Sequence, residues 1–102
     1  EFGGGVFSES NVSILNDSYV GDNIAGESGG GIYSLGTVLV QNSEVSWNVV
    51  DEGIGGGIYA GGNVEISDHS TVMFNEANTN GGGIYSDSNV TIENSAKRGG
   101  GF

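Results

Sequence analysis

The sequence Gly-Gly-Gly-Ile-Tyr at residues 29–33 occurs again at 55–59 and 81–85, and the variant Gly-Gly-Gly-Val-Phe stands at 3–7. Successive triplets begin 26 residues apart. A fixed period of this size indicates a repeat protein, in which each unit buries its apolar face against its neighbours. We therefore expect a single solenoid segment over residues 1–102. Its coils are 3–28, 29–54, 55–80 and a truncated 81–102.

An alternating run after each triplet indicates a β-strand. It reads Asn-Val-Ser-Ile at 11–14, with counterparts at 37–40, 63–66 and 89–92. Such alternation is typical of a strand with one buried face, and no helical pattern occurs in the sequence. The prediction is an all-β fold, a right-handed parallel β-helix (β-solenoid) of about four coils of 26 residues with three short strands per coil. Successive coils should lie ~4.8 Å apart, the strand spacing of a sheet.

The alternation also predicts the core. Side chains that point inward on stacked coils should form aliphatic ladders, because each lies above and below a like residue. Four such ladders are expected. They are Val6/Ile32/Ile58/Ile84, Val12/Val38/Val64/Val90, Ile14/Val40/Ile66/Ile92 and Val20/Val45/Val72.

Two polar positions recur in each repeat and predict corners. Asn and Asp tolerate the left-handed backbone of tight turns, and their side chains can stack as amide ladders that satisfy the turn backbone. The Gly triplets predict a further corner that needs positive φ or a close approach of two backbones. The polar corner positions are Asn16/Asn42/Asp68/Asn94 and, in the motif V-x-x-N, Asn23/Asn48/Asn75.

Composition excludes several classes of function. The two basic residues, Lys97 and Arg98, stand against 13 Asp and Glu, so the net charge is −11 and no nucleic acid partner is expected. The chain has no Cys, which excludes disulfides and Cys-ligated metals. It also has no apolar run long enough for a membrane span in this segment. Gly is abundant because twelve of the 21 glycines form the four triplets.

The two motifs together resemble those of a known family. Repeats with G-G-[A/G]-[I/L/V] and F-x-x-N look like those of chlamydial polymorphic outer-membrane proteins and related right-handed β-helix surface proteins. Here the motifs read G-G-G-I-Y and V-x-x-N, with Val in place of the family's aromatic residue. The resemblance implies the passenger region of an autotransporter or a secreted protein that acts as an adhesin or a stalk. The same fold also hosts pectin-lyase-like enzymes, so the resemblance implies architecture first and adhesion second.

The ends of the sequence predict stacking partners. The fourth repeat runs for only 18 residues, 81–98, before the final triplet at 99–101, and it lacks a V-x-x-N element. Open ends of a solenoid are sheet edges that pair with whatever they meet. We therefore expect like subunits or further coils of the same solenoid at both ends.

Aromatic residues recur on the outer face. Because the residue after an inward aliphatic points outward, Phe7, Tyr33, Tyr59 and Tyr85 should form an exposed ladder. The ladder could bind sugar rings or a partner chain, such as a host protein, although simple coil-on-coil stacking is the favoured interpretation. Trp47 and Phe74, one residue before the Asn of V-x-x-N, suggest a local apolar patch or plain packing.

The acidic residues do not form a ligand motif. Asp51, Glu52 and Asp87 lie in loops, and neither D-x-D-x-D-G nor G-G-x-G-x-D occurs. Calcium is left as a weak alternative, and no other cofactor is expected. A solvated acidic surface that maintains solubility is the simpler interpretation.

No catalytic constellation can be named from the sequence. A lyase needs a basic group, but Lys97 and Arg98 lie in the broken last repeat. A hydrolase needs paired carboxylates, and Glu65 and Asp68 have no acidic counterparts on the neighbouring coils at those positions. His69 is a lone histidine at a turn. We therefore expect no enzyme activity.

These observations predict a non-catalytic extracellular or cell-surface β-helix repeat module with a structural or adhesive role. One alternative is a subunit of an extracellular filament that stacks end to end through uncapped coil edges. Another is a carbohydrate-binding or carbohydrate-active β-helix fragment. Three N-x-S/T sequons, starting at Asn11, Asn16 and Asn89, arise from the Asn- and Ser-rich composition and identify neither secretion nor glycosylation.

Overall fold

A computed structural model describes residues 4–79 and 81–93 and the backbone of Ala96–Lys97. These residues form short strands and no helix. The strands of the first two repeats are β1 Val6–Ser8, β2 Val12–Leu15, β3 Tyr19–Gly21, β4 Ile24–Ala25, β5 Ile32–Ser34, β6 Val38–Gln41, β7 Glu44–Ser46 and β8 Val49–Val50. Those of the next two are β9 Ile58–Ala60, β10 Val64–Ser67, β11 Thr71–Met73, β12 Glu76–Ala77, β13 Ile84–Ser86, β14 Val90–Ile92 and β15 Ala96–Lys97.

Every strand pairs in parallel with its counterpart in the neighbouring repeat. The sheet orders are β1-β5-β9-β13, β2-β6-β10-β14, β3-β7-β11-β15 and β4-β8-β12. Since the chain visits each sheet once per repeat, the fold is a parallel β-solenoid, as the period of the sequence predicts. The described residues make three full turns and most of a fourth, close to the four predicted coils.

Each full turn contains one strand more than the sequence predicts. The additional strands are β4, β8 and β12, which follow the Asn of V-x-x-N and form the fourth sheet. They are two residues long, too short for alternation to show in the sequence. The prediction of three strands per coil was therefore one too few.

Two loops absorb the irregularity of the repeat. Between the second and third strands of a turn, the first and third repeats have three residues, 16–18 and 68–70, whereas the second has only two, 42–43. The second repeat recovers the missing residue before the next triplet, because seven residues separate β8 from β9 and six separate β4 from β5. The strands on both sides therefore remain in register.

The longer corners contain an additional left-handed residue. Asn16 and Asp17 have φ of 59° and 65°, and Asp68 and His69 have φ of 57° and 63°. The shorter corner has Asn42 alone at φ 50°. A second left-handed residue, Asp17 in the first repeat and His69 in the third, thus accommodates the extra length. Asp and His tolerate this conformation better than most residues.

The inward-facing aliphatic residues form one core. All fifteen residues of the four predicted ladders belong to it or pack against it. Those in the middle turns are almost fully buried, and Val40, Val45 and Ile66 expose 0% of their surface. The partly buried members belong to the first and fourth turns. They are Val6, Ile14, Val20, Val90 and Ile92.

The structure adds buried positions that the sequence pattern does not single out. The fourth sheet contributes Ala25 and Val50, which follow from the additional strands. Ala60 in β9 and the serines Ser34 and Ser46 are also fully enclosed. These side chains are small, so they fill the space beside the larger residues of the ladders.

The structure confirms both predicted reasons for the Gly triplets, positive φ and a close approach of two backbones. The first Gly has positive φ in the triplets at 29, 55 and 81, with values of +63°, +70° and +63°. The second Gly lies against the neighbouring turn, so that a Cβ on Gly30 would clash with the carbonyl oxygen of Gly56 in the next turn. A side chain at this corner would therefore force successive turns apart.

The fourth turn continues further than the sequence suggests. Its strand β15 pairs with β11, and Lys97 stands opposite Val72, the Val of V-x-x-N in the third repeat. The fourth turn thus forms the strand that corresponds to V-x-x-N although its sequence lacks that motif. The predicted corner Asn94, the side chain of Lys97, Arg98 and the final triplet at 99–101 lie outside the described residues.

Candidate functional surfaces

The aliphatic ladders contribute nothing to the surface in the middle turns. Val40, Val45 and Ile66 are enclosed on every side, so no ligand or partner chain can reach them. They act only by packing, unlike the aromatic residues, which the sequence places on the outer face. The surface that a ligand or partner can reach there is therefore formed by the outward side chains and the corners.

The outward aromatic residues form a stacked ladder on the first sheet. The ring centroids of Phe7 and Tyr33 are 5.3 Å apart, those of Tyr33 and Tyr59 4.7 Å, and those of Tyr59 and Tyr85 5.5 Å. The ring planes differ by 4° to 7°. This spacing is the separation of neighbouring strands, so the parallel register itself sets the stack.

The ladder uses its ring faces internally. Each inner ring, Tyr33 and Tyr59, is covered on both faces by its neighbours, and only the ring edges and hydroxyl groups face outward. A pyranose stacks on an open aromatic face, which these inner rings do not offer. The geometry therefore favours coil-on-coil stacking over sugar binding at this ladder.

One hydroxyl of the ladder has a specific partner. The Tyr59 hydroxyl donates a hydrogen bond to Asp87 Oδ2 over 3.3 Å. Partial burial, followed by the negative charge of Asp87, raises the pKa of Tyr59 above its ordinary value of 10.0. Asp87, one of the acidic loop residues, thus accepts a hydrogen bond on the aromatic face.

The Asn residues of V-x-x-N form a buried amide ladder. Asn23 donates from its backbone N–H and from Nδ2 to Asn48 Oδ1, at 3.2 and 3.0 Å. Asn48 donates in the same way to Asn75 Oδ1, at 3.0 and 2.9 Å. The Asn48 amide also donates to the Val20 and Ser46 carbonyls, which ties it to the adjacent strands. Asn48 is fully buried, so these bonds replace all of its contact with water.

A second ladder, of serine hydroxyls, forms at the other corner. The Ser18 N–H donates to Ser43 Oγ over 3.1 Å, and the Ser43 N–H donates to Ser70 Oγ over 3.0 Å. Each hydroxyl in turn donates to a carbonyl just before it, as Ser70 does to Ser67 over 2.7 Å.

The Asn residues of this second corner do not stack as predicted. The Asn42 amide donates to the Asp17 carboxylate over 3.4 Å. Asn16, Asn42 and Asp68 are all exposed. Their contribution is the left-handed backbone of the corner, while the neighbouring serines make the hydrogen bonds between turns.

Trp47 and Phe74 form a separate aromatic pair. Their ring centroids are 4.5 Å apart with planes at 19°, and the two residues are 54% and 48% exposed. Both have left-handed backbones, with φ of 59° and 55°. For bulky residues this conformation is an outlier that costs about 1–2 kcal/mol. Sequence patterns miss it, because nothing marks a Trp or Phe as left-handed.

A depression next to this pair has an apolar wall and an acidic rim. It measures about 350 Å³ and is lined by Trp47, Phe74, Val49, Asn75 and Glu76. Val49 and Glu76 pair in register on the fourth sheet, and Ile24, which pairs with Val49 from the first turn, is 64% exposed. We call Ile24, Trp47, Val49, Phe74 and Glu76 the aromatic corner.

The residues weighed for catalysis and metal binding lie apart from one another. Glu65 stands in register between Leu39 and Thr91, on an outer face. Asp68 and His69 are exposed in their corner. Within residues 4–79 and 81–93, no three His, Asp or Glu side chains come together in a group that could hold a metal ion.

The described part contains no helix with the length and apolar composition needed to cross a membrane. Comparisons with protein-family models, curated proteins and solved structures find no match. The resemblance to the chlamydial surface repeats therefore remains a prediction from the motifs.

Proposed function

We propose that the chain is a non-catalytic β-solenoid module of an extracellular or cell-surface protein, with a structural and adhesive role. The observation that carries this proposal is the continuity of its ladders. Aliphatic, amide, hydroxyl and aromatic side chains each contact a like residue on the next turn. Turns stacked in this way extend into a stiff rod as their number grows, and the outer surface repeats at every turn.

The location rests on the resemblance of G-G-G-I-Y and V-x-x-N to bacterial surface repeats. An acidic surface fits this setting, since a net charge of −11 keeps a rod soluble and discourages its association with copies of itself. Adhesion is favoured over a purely structural role because large apolar side chains stay exposed, among them Trp47, Phe74 and Ile24.

Display on a non-adherent bacterium tests the adhesive role. We expect cells that carry the chain to be retained on epithelial cells or immobilised matrix proteins at least about tenfold better than cells that carry the anchor alone, as multivalent display amplifies weak contacts. A variant in which Tyr33, Tyr59 and Tyr85 are replaced by Thr serves as a control that keeps the solenoid but lacks the tyrosines of the aromatic ladder. Thr is chosen because it also suits a strand. Equal retention of the displayed chain and the bare anchor on every surface would overturn the adhesive role.

Negative-stain microscopy separates this role from that of a filament subunit. The proposed module stays monodisperse at high concentration. Fibres whose number rises with concentration would instead support end-to-end stacking through coil edges.

A further inference from the structure

We propose that the aromatic corner binds a basic segment of a partner polypeptide, with an Arg or Lys side chain held between the Trp47–Phe74 pair and the Glu76 carboxylate. This inference rests on the proposed adhesive role and names the partner's chemistry. It follows from the backbone, the neighbouring side chains and the charge of this surface.

The backbone does not require aromatic residues at these positions. Asp22 occupies the equivalent place in the first turn with φ 57°, nearly the same as Trp47 and Phe74. Asp is among the residues that tolerate this conformation, whereas Trp and Phe are not. Both rings lie outside the core and are about half exposed. Strain kept at a surface where a smaller residue would relieve it points to a binding role.

Trp47 and Phe74 each stack on only one aromatic ring among the described residues, unlike the inner rings Tyr33 and Tyr59 of the ladder on the first sheet. In a stack of two rings, each ring keeps one face that its partner does not cover. The depression beside the pair adds the side chain of Val49, and Ile24 continues the apolar surface toward the first turn. This surface can take the aliphatic stem of a long side chain along with its charged end.

The described charged side chains that line the corner are acidic. Glu76 lines the same depression as Trp47 and Phe74, and it lines the adjoining depression with Asp51. Residues 4–79 and 81–93 contain no Lys or Arg. A second copy of this chain would bring the same excess of carboxylates to the contact, so a basic partner is the complementary occupant.

The chemistry of the corner suits a guanidinium best. Its plane stacks on an aromatic face while its N–H groups donate to a carboxylate, and it is more weakly hydrated than an ammonium. Lys can make the same two contacts with a smaller, more strongly hydrated charge. We therefore expect Arg-containing segments to bind more tightly than Lys-containing ones.

The test uses the purified 102-residue chain and three labelled twelve-residue probes that alternate Gly with Arg, Lys or Glu. Fluorescence anisotropy of the label measures affinity. Trp47 is the only Trp of the chain, so its emission reports contact at the corner directly. We expect the Arg probe to bind and to change Trp47 emission, the Lys probe to bind about threefold more weakly, and the Glu probe not to bind. Rising salt should weaken binding.

Three variants assign the site. Trp47→Asn with Phe74→Asn replaces both rings by a residue that suits the left-handed backbone, so the fold is kept, and we expect binding about tenfold weaker. Glu76→Gln should weaken binding about threefold and reduce its salt dependence. The matched control is Leu35→Asn, which removes a residue 50% exposed outside the corner and should leave affinity unchanged.

Several results would overturn the inference. Binding of the Arg probe that survives the double variant, or equal binding of the Glu probe, contradicts it. A Trp47-dependent signal on a glycan array identifies a carbohydrate partner instead, and a shift of Trp47 emission with protein concentration alone identifies a second copy. If displayed cells adhere equally with and without the double substitution, this inference fails while the adhesive role stands. If the Arg probe binds but displayed cells adhere to nothing, the adhesive role fails while the site stands.

Discussion

Replacement of Asn48 by Ala should destabilise the fold strongly through the amide ladder. The change removes Asn48 Oδ1, which accepts from the Asn23 N–H and Nδ2, and the two Nδ2 hydrogens, which are shared among the Val20 and Ser46 carbonyls and Asn75 Oδ1. The Asn48 backbone N–H keeps its bond to Asn75. Because the site is fully buried, no water replaces the lost partners without entering the core.

The expected magnitude follows from the groups left without partners. The half-buried Asn23 N–H loses its acceptor and the buried Ser46 carbonyl loses a donor, and each such group costs about 1–3 kcal/mol when water cannot replace the partner. Together with the volume lost, the free energy of unfolding should fall by about 4 kcal/mol, a large share of the roughly 5–15 kcal/mol that holds a domain.

Urea unfolding followed by circular dichroism measures this change, with the midpoint and slope compared because repeat proteins can depart from two-state behaviour. The matched control is Asn63→Ala. Asn63 Oδ1 also accepts a hydrogen bond from the next turn, from the Asn89 N–H over 3.2 Å, but Asn63 is exposed. Its loss should lower the free energy of unfolding by less than about 1 kcal/mol. Equal losses for the two variants would refute burial of the ladder as the source of stability.

Three further predictions follow from the backbone and the aromatic faces. Trp47→Asn with Phe74→Asn should raise the free energy of unfolding by about 1 kcal/mol, because relief at two left-handed residues exceeds the loss of one ring stack; a lower melting temperature contradicts this. Gly56→Ala should lower the free energy of unfolding by about 3 kcal/mol, because the new Cβ would be 2.6 Å from the Glu76 carbonyl carbon. Gly62→Ala, whose nearest contact is 3.0 Å, should cost clearly less, and equal losses would contradict the steric argument. The raised pKa of Tyr59 means that the folded state holds the phenol proton more tightly than the unfolded chain, so stability should fall as the pH rises above 10.0. Tyr59→Phe should reduce this fall, and ultraviolet titration of Asp87→Asn should show the pKa of Tyr59 moving back toward 10.0; an unchanged titration excludes Asp87 as a cause.

The period of the sequence predicts most of the fold because stacking places like residues on like residues. Ile32 and Ile58 pair in register, and so do Val40 and Ile66, as the triplet spacing requires. The inward ladders follow from alternation along each strand. Strand β8 escapes prediction because Val49–Val50 shows no alternation within two residues.

The candidate site could be predicted only in part. Trp47 and Phe74 can be recognised from the repeat as equivalent positions that suggest an apolar patch. Their left-handed backbone cannot be recognised from the sequence, because Trp and Phe by themselves prefer negative φ. The register of the flanking strands overrides that preference. The corners differ for a similar reason. Asn48 and Asn42 are the same residue type, but burial decides which one forms an amide ladder, and burial depends on the tertiary path of the chain.

The amide and serine ladders have a consequence for how such a protein changes length in evolution. Asn48 meets its hydrogen-bonding needs mainly with the equivalent Asn of the turns before and after it. Duplication of one whole unit of 26 residues therefore adds a turn that fits both neighbours and extends the rod by ~4.8 Å. Insertions of other lengths have to be accommodated at a corner. The corner between the second and third strands varies in length by only a single residue between repeats. Length should thus vary among related rods in whole-turn increments, which makes the repeat a molecular ruler.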